Sequence, residues 1–426
     1  MADTAASPQP GARMSVALLI VVNLFNYIDR YILAAVLPLL QAQFFPGSGE
    51  DDPVAASKLG LLTTVFLVSY MLVAPVFGWI GDRYRRWVLI GVGLIAWSLA
   101  SGASGLAQSY GMLLATRVLI GVGEAAYGPV APTVIADLYP VSKRGSVLAW
   151  FYAAIPVGSA IGYGIGGVLG EHFGWRMPFL AVVLPGVLLG FVCLLRPEPA
   201  RGSADVGMKG PARKASLADY RMFWQTRSYL LNTVGMTAMT FAVGGIAVWM
   251  PKYAHDVRQA GSLGAVGMIF GAILATGGLA ATLTGGYLSD RLRARHPGSY
   301  FVVSGVGMLV GFPLFLLVLV TPFPYAWGLI FATVFCLFLN TGPTNTIIAN
   351  VIHPSLRSSA FAMNILIIHT LGDALSPPLI GWIYGTAGSM NVGFLVVSVM
   401  FLVSGVAWLA GAKHLGRDTE LAPTRL

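Results

Sequence analysis

Gly78-Trp79-Ile80-Gly81-Asp82-Arg83-Tyr84-Arg85-Arg86 closes one long apolar run, and Gly286-Tyr287-Leu288-Ser289-Asp290-Arg291-Leu292-Arg293 closes another 208 residues later. The same Gly-x-x-x-Asp-Arg signature therefore recurs at nearly half the length of a 426-residue chain. An internal repeat of that period in a membrane chain predicts two similar helical bundles around a central cavity. The composition agrees. Only 10% of residues are charged and 56% are hydrophobic, where a soluble domain carries about 25% charged residues. The mean hydropathy is +0.75. A soluble domain, a disordered tail protein, a coiled coil and a disulfide scaffold are all excluded.

Working outward from the repeat, apolar runs broken by polar or Gly/Pro punctuation give twelve spans. They cover residues 14–44, 58–81, 87–107, 110–138, 143–170, 177–196, 226–254, 263–288, 299–320, 324–351, 356–386 and 391–412. Most exceed the ~20 residues needed to cross the hydrocarbon core. The predicted fold is an all-α membrane protein of twelve transmembrane helices. Its parts are an N-terminal tail (1–13), an N-terminal six-helix bundle (14–196), a polar linker (197–225), a C-terminal six-helix bundle (226–412) and a C-terminal tail (413–426).

Lysine and arginine set the orientation. With the N-terminus inside, 20 of them fall on the cytoplasmic side and 4 on the other, while Arg30 and Arg117 lie within spans. Both termini are expected in the cytoplasm. The net charge of +9 is then topology, and no nucleic-acid partner is expected. The first residues lack the basic-then-apolar order of a cleaved signal, so span 1 is expected to be a retained insertion signal. Cys193 and Cys336 stand alone in apolar runs and offer neither a disulfide framework nor a zinc site.

The Gly-x-x-x-Asp-Arg loops, with Arg117-x-x-x-Gly121-x-Gly123 in span 4, resemble the signature motifs of the major facilitator superfamily. Longer stretches resemble the spinster family of lysolipid and sphingosine-phosphate transporters. They are Asn26-Tyr27-Ile28-Asp29-Arg30-Tyr31, Ser69 to Gly78, Gly121 to Tyr127, Ala131 to Leu138 and Phe151 to Ser159, with Gly372 to Pro377 in the second half. The compact length and short tails are more similar to a bacterial member, which implies a multi-pass protein of the bacterial inner membrane. The resemblance also implies proton linkage, with Asp29 and Glu124 at the matched acidic positions.

Charges inside a bilayer are costly, at ~2.5–3.5 kcal/mol each on insertion scales, and mark function by default. The sequence places Asp29, Arg30, Arg117, Glu124 and Asp373 there, with His369 as the one mid-span histidine. Arg117, Glu124 and Tyr127 fall on one face of span 4. A carboxylate alternating between an arginine and a proton is a coupling device; a fixed ion pair between spans 1 and 4 is the plainer reading. Arg30 and Arg117 are candidate hooks for an anionic or zwitterionic head group. His369 and Asp373 share one face of span 11, either as a local pair or as a second proton or substrate site. Asn340, Thr344 and Asn345 either line the cavity or cap a break at Gly342-Pro343. Asp82, Arg83, Arg86 and Asp137 are expected to clamp the bundles' inner ends when the transporter is open outward, with Asp290 and Arg291 repeating that gate. Gly158, Gly162, Gly166 and Gly170 form a small-residue stripe in span 5, expected to be a sliding bundle interface.

The expected function is proton-coupled transport of lysophospholipids or sphingosine-phosphate-like amphiphiles by alternating access. The alternative is transport of small organic anions or drugs on the same fold. The expected partners are that substrate, protons and membrane lipids, with the chain acting as a monomer. No phosphate-binding Gly-x-x-x-x-Gly-Lys-Ser/Thr loop is present, so ATP does not supply the drive. His172, His255, His296, His353 and His414 lie near span ends, and no nucleophile–base pair, metal-ligand cluster or cofactor motif emerges. An enzyme is not expected.

Overall fold

The computed structural model describes residues 8–47, 53–205 and 216–425, and among them every regular element is a helix. This follows from the solvent: in hydrocarbon each backbone N–H and C=O must be satisfied within its own segment. In chain order the spans are Ala12–Phe44 (1), Pro53–Gly81 (2), Arg86–Gly105 (3), Tyr110–Ala125 with Ala131–Leu138 (4), Arg144–Tyr152 with Ala154–Phe173 (5) and Arg176–Ala181 with Val183–Leu194 (6). They continue as Arg227–Lys252 (7), Leu263–Arg293 (8), Ser299–Val320 (9), Ala326–Phe338 with Thr341–Val351 (10), Arg357–Ile368 with Ser376–Ala387 (11) and Met390–Leu421 (12). Eleven of them are long and apolar enough to cross a membrane.

The twelfth, span 4, is interrupted by a turn over residues 126–130, which begins two residues after Glu124. Tyr70 explains part of that turn. A Cβ on Gly128 would lie 2.2 Å from the Tyr70 hydroxyl, so only glycine lets spans 2 and 4 approach there. Span 10 breaks at the corresponding place in the second half, between Phe338 and Thr341. The break therefore precedes Gly342-Pro343 instead of falling on it.

Each bundle is knitted by close backbone approaches at small residues. The stripe in span 5 packs on span 1 of its own bundle. Cβ atoms on Gly158, Gly162 and Gly166 would sit 2.6–2.8 Å from Leu24, Ile28 and Ala35 atoms respectively. The expected sliding interface between bundles is thus a tight seam within one. In the second half Gly235 receives the Trp408 ring, and Gly305 and Gly405 let spans 9 and 12 meet.

The glycines of the repeated signature do join the bundles. A Cβ on Gly78 would lie 2.6 Å from the Ala362 Cβ and 2.8 Å from the Ser358 carbonyl, in span 11. One on Gly286 would lie 2.4 Å from the Ala149 Cβ and 2.6 Å from the Gly145 carbonyl, in span 5. Span 2 meets span 11 and span 8 meets span 5, as a two-fold relation between the halves requires.

Candidate functional site

The carboxylates four residues beyond those glycines cap helices across the interface. Asp82 accepts the Ser358 and Ser359 N–H groups at 2.9 and 3.0 Å, at the start of span 11. Asp290 accepts the Ser146 N–H at 2.7 Å and its hydroxyl at 2.6 Å, at the start of span 5, with the Tyr300 hydroxyl at 2.7 Å. The first N–H groups of a helix have no intrahelical partner and carry partial positive charge, so a carboxylate there is held by geometry and dipole together. Burial nonetheless pushes the Asp82 carboxyl up to about 6, against the pull of the Ser359 and Ser358 donors.

Beneath these caps lies a chain of charges. Arg86 bridges Asp137 at 2.5 Å and Glu198 at 2.7 Å. Asp137 also takes Arg357 at 3.0 Å. Asp205, from the linker, takes Arg144 at 2.8 Å and Arg357 at 2.7 Å. Burial alone would raise the Asp205 carboxyl, but the two guanidiniums outweigh it and hold it below the ordinary carboxylate value. Arg201 donates to the carbonyls of Gly81, Asp82 and Tyr84, covering the open end of span 2. Gly202 N–H and the Ser203 hydroxyl tie the same strap to Asp137.

The expected gate residues therefore separate. Arg86 and Asp137 pair as foreseen. Asp82 turns away from both and caps span 11, because Ser358 and Ser359 offer two aligned N–H groups. Arg83 lies over the Trp79 ring and donates to the Tyr220 hydroxyl. Arg291 donates to Tyr287 of its own helix, so it does not repeat a cross-bundle role. Arg144, Arg357, Glu198, Arg201 and Asp205 were not among the residues expected there. A signal for two of them is present in the repeat: Arg144-Gly145-Ser146 and Arg357-Ser358-Ser359 stand 213 residues apart.

At mid-depth, the Nε and Nη2 of Arg30 both reach Glu124 Oε2 at 2.7 Å. The rings of Tyr27, Phe66 and Tyr70 surround that guanidinium at 4.9–5.1 Å. Glu124 is fully buried, whereas the Arg30 side chain is 22% exposed. Glu124 does not pair with Arg117, despite their shared face. Seven residues place the two about 10 Å apart along the axis, and span 1 brings Arg30 closer.

Arg117 is only 2% exposed. It donates to Ser104 and lies over the Phe179 ring. Three residues before Ser104, the Ser101 hydroxyl donates to Asp29 Oδ1 at 2.5 Å. Arg117 therefore sits inside the N-terminal bundle and does not line the cavity. Asp29 Oδ2, Glu124 Oε1 and Arg117 Nε are buried and make no hydrogen bond among the described residues. Buried polar atoms without a partner are rare in folded proteins.

Tyr127 is 2% exposed and donates to the Leu19 carbonyl, which makes it a packing residue and not a substrate contact. Asn340 is buried and donates to the Leu337 carbonyl, and Asn345 to that of Thr341. Both secure the break in span 10; Asn340 does not reach the cavity, and Asn345 is half-buried. His369 and Asp373 are partly buried on span 11, which packs against span 2. They bracket a π-helical turn in span 11 and pair at 3.0 Å, and the His369 ring meets Tyr70 edge-on at 6.4 Å.

Residues 19–372 match the Major Facilitator Superfamily. Protein spinster homolog 3 of Danio rerio is 36% identical over 406 residues, covering 91% of this chain and 80% of its own. The chain belongs to the spinster family. It is a multi-pass membrane transporter and not an enzyme. Another spinster-family relative, the Danio rerio sphingosine-1-phosphate transporter SPNS2, is 32% identical over 434 residues, covering 94% of this chain and 84% of its own. The fold is shared with a bacterial homolog of the human lysosomal transporter spinster, solved inward-facing and unoccupied. That match has a TM-score of 0.61 at 21% identity, over 98% and 99% of the two chains. It is also shared with the superfamily transporter FucP in its outward conformation, with a TM-score of 0.72 at 16% identity, over 94% and 99%.

Proposed function

We propose that this spinster-family chain is a proton-coupled transporter of single-chain phospholipids or sphingosine-phosphate-like amphiphiles. Its home is a bacterial inner membrane, with the basic end and both termini in the cytoplasm. The observation that carries the reading is the Arg30–Glu124 pair, whose arginine keeps 22% of its side chain accessible while its carboxylate is fully buried. An incoming phosphate competes for Arg30. A buried carboxylate stripped of its cation takes a proton in preference to holding a bare charge. Substrate and proton are then linked through one guanidinium. Asp29 and Arg117 form a buried second tier, with Arg117 positioning Asp29. The lipid class is supported by the relative described as a sphingosine-1-phosphate transporter.

In this reading the caps on Asp82 and Asp290 and the Asp137–Arg357–Asp205 chain are the closed cytoplasmic gate, and the cavity is open outward. Alternating access breaks these contacts and forms others at the far end. Uptake into proteoliposomes with and without a pH gradient tests the coupling. Glu124→Gln is expected to abolish stimulation by the gradient while the protein keeps its wild-type melting temperature. Undiminished stimulation in that variant refutes the mechanism. Competition by short carboxylates, but by no amphiphile, favours the small-anion alternative.

A further inference from the structure

Across the seam between the bundles, span 1 offers a partly exposed cation, Arg30, and span 11 a partly exposed carboxylate, Asp373. One aromatic ring stands between them. Tyr70 lies 5.1 Å from the Arg30 guanidinium on one side and 6.4 Å from the His369 ring on the other. His369 then reaches Asp373 at 3.0 Å.

The π turn places this carboxylate. The Ala374 N–H bonds back to the His369 carbonyl, so the turn carries one residue more than an α-turn. Span 7 backs it closely: a Cβ on Gly244 would lie 2.5 Å from the Asp373 Cβ. Asp373 cannot retreat toward span 7, and its side chain is 26% exposed, beside His369 at 23%.

The partners of the two charged groups differ. Arg30 already has a carboxylate, so it is available to a phosphate only by exchange. Asp373 has no arginine or lysine partner among the described residues; its ion partner is His369. A carboxylate has two oxygens and about four acceptor sites. His369 Nδ1 occupies the near side of both oxygens, at 3.0 and 3.1 Å, and leaves acceptor capacity for an ammonium. A purely anionic head group meets only the Arg30 wall. A head carrying phosphate and amine a few bonds apart meets both walls with a charge-assisted hydrogen bond at each end.

We propose that Asp373 is a specificity-determining residue. It takes the ammonium of a zwitterionic head group whose phosphate is held by Arg30, and so selects amine-bearing single-chain phospholipids over amine-free ones. This rests on the lipid-transport reading above. The pair on span 11 then reads the substrate, and its hydrogen bond to His369 orients the carboxylate toward the cavity.

The test is binding to the purified, full-length protein in detergent. The probes are lysophosphatidylethanolamine and lysophosphatidic acid with the same acyl chain. Wild type is expected to bind the amine-bearing lipid at least tenfold more tightly. Asp373→Asn is expected to bring the ratio within about twofold, mainly by weakening the amine-bearing lipid. Asp373→Glu is expected to keep a preference, as is His369→Gln, which leaves the carboxylate in place. Equal affinities in wild type overturn the proposal while leaving lipid transport standing, as does a ratio unchanged in Asp373→Asn of wild-type melting temperature. If Asp373→Asn does not fold, loss of the preference in Asp373→Glu and His369→Gln alike overturns it too. Failure of both lipids to bind wild type overturns the lipid-transport reading and this proposal with it.

Discussion

Asp205 lies in the linker between the bundles, yet its carboxylate is only 5% exposed and holds one arginine from each half. The Arg144 arm stays within the N-terminal half and its linker, so it persists when the bundles separate. The Arg357 arm crosses, at 2.7–2.9 Å through both oxygens, and in the proposed cycle exists only while the basic end is closed. A hydrogen bond to a charged group contributes about 1.5–3 kcal/mol. Asn keeps one acceptor oxygen, so Asp205→Asn is expected at the low end of that range. Each 1.4 kcal/mol is about tenfold in an equilibrium, so the open fraction of the gate should rise about tenfold. The reporter is a cysteine at Ser358, which is 1% exposed in the closed gate, with buried Cys193 and Cys336 replaced by alanine. Its alkylation by a charged maleimide should quicken about tenfold in Asp205→Asn and stay slow in Asp205→Glu. The Asp205 carboxyl is held below its ordinary value, so its support is present above about pH 4 and is lost only as pH falls through the lowered value. An Asp205→Asn rate equal to wild type at pH 7 refutes the assignment of this residue to the gate.

Other outcomes follow from the same geometry. Gly286→Val drives a side chain into Ala149 and the Gly145 carbonyl, so the gate should fail to close; Ser358→Cys alkylation rises well beyond tenfold and uptake is lost. The Asp82 carboxyl sits at about 6 in the closed gate, above the ordinary value near 4 expected once it is exposed, so protonation favours closure. Lowering the pH from about 7 to 5 should therefore slow alkylation, after correction for thiolate fraction, and Asp82→Asn should remove that dependence. Arg30→Lys replaces a planar group that sits among three rings and reaches Glu124 through two of its nitrogens with a point charge, and substrate affinity in a binding titration should fall about tenfold.

The repeat around Asp82 and Asp290 was legible because glycine, carboxylate and arginine recur at fixed spacing beside apolar runs, and those runs with their polar punctuation marked the spans. The intramembrane charges were legible because each is expensive. Their partners were not. A shared helix face suggested Arg117 for Glu124, but which helix lies opposite is a property of packing, and span 1 supplies Arg30. Likewise the span 5 glycines announced a close approach without naming its partner, which proved to be span 1. Asp205 and Glu198 carried no signal, since a polar linker is full of unconstrained charges and only the folded bundles show where two of them land.

The linker strap has a consequence for how the gate is kept. Because residues 198–205 are covalently joined to both bundles, Asp205 behaves as a tethered ligand, present at an effective concentration of order millimolar with no competitor from solution. Its hold is set by tether length as well as by charge. Lengthening the tether dilutes it without touching a single contact. Supplying the two bundles as separate polypeptides removes the tether from one of them, and should leave a pair of halves that still recognise each other through Gly78 and Gly286 but close less firmly. Loop length in this chain is in that sense a thermodynamic variable of the transport cycle.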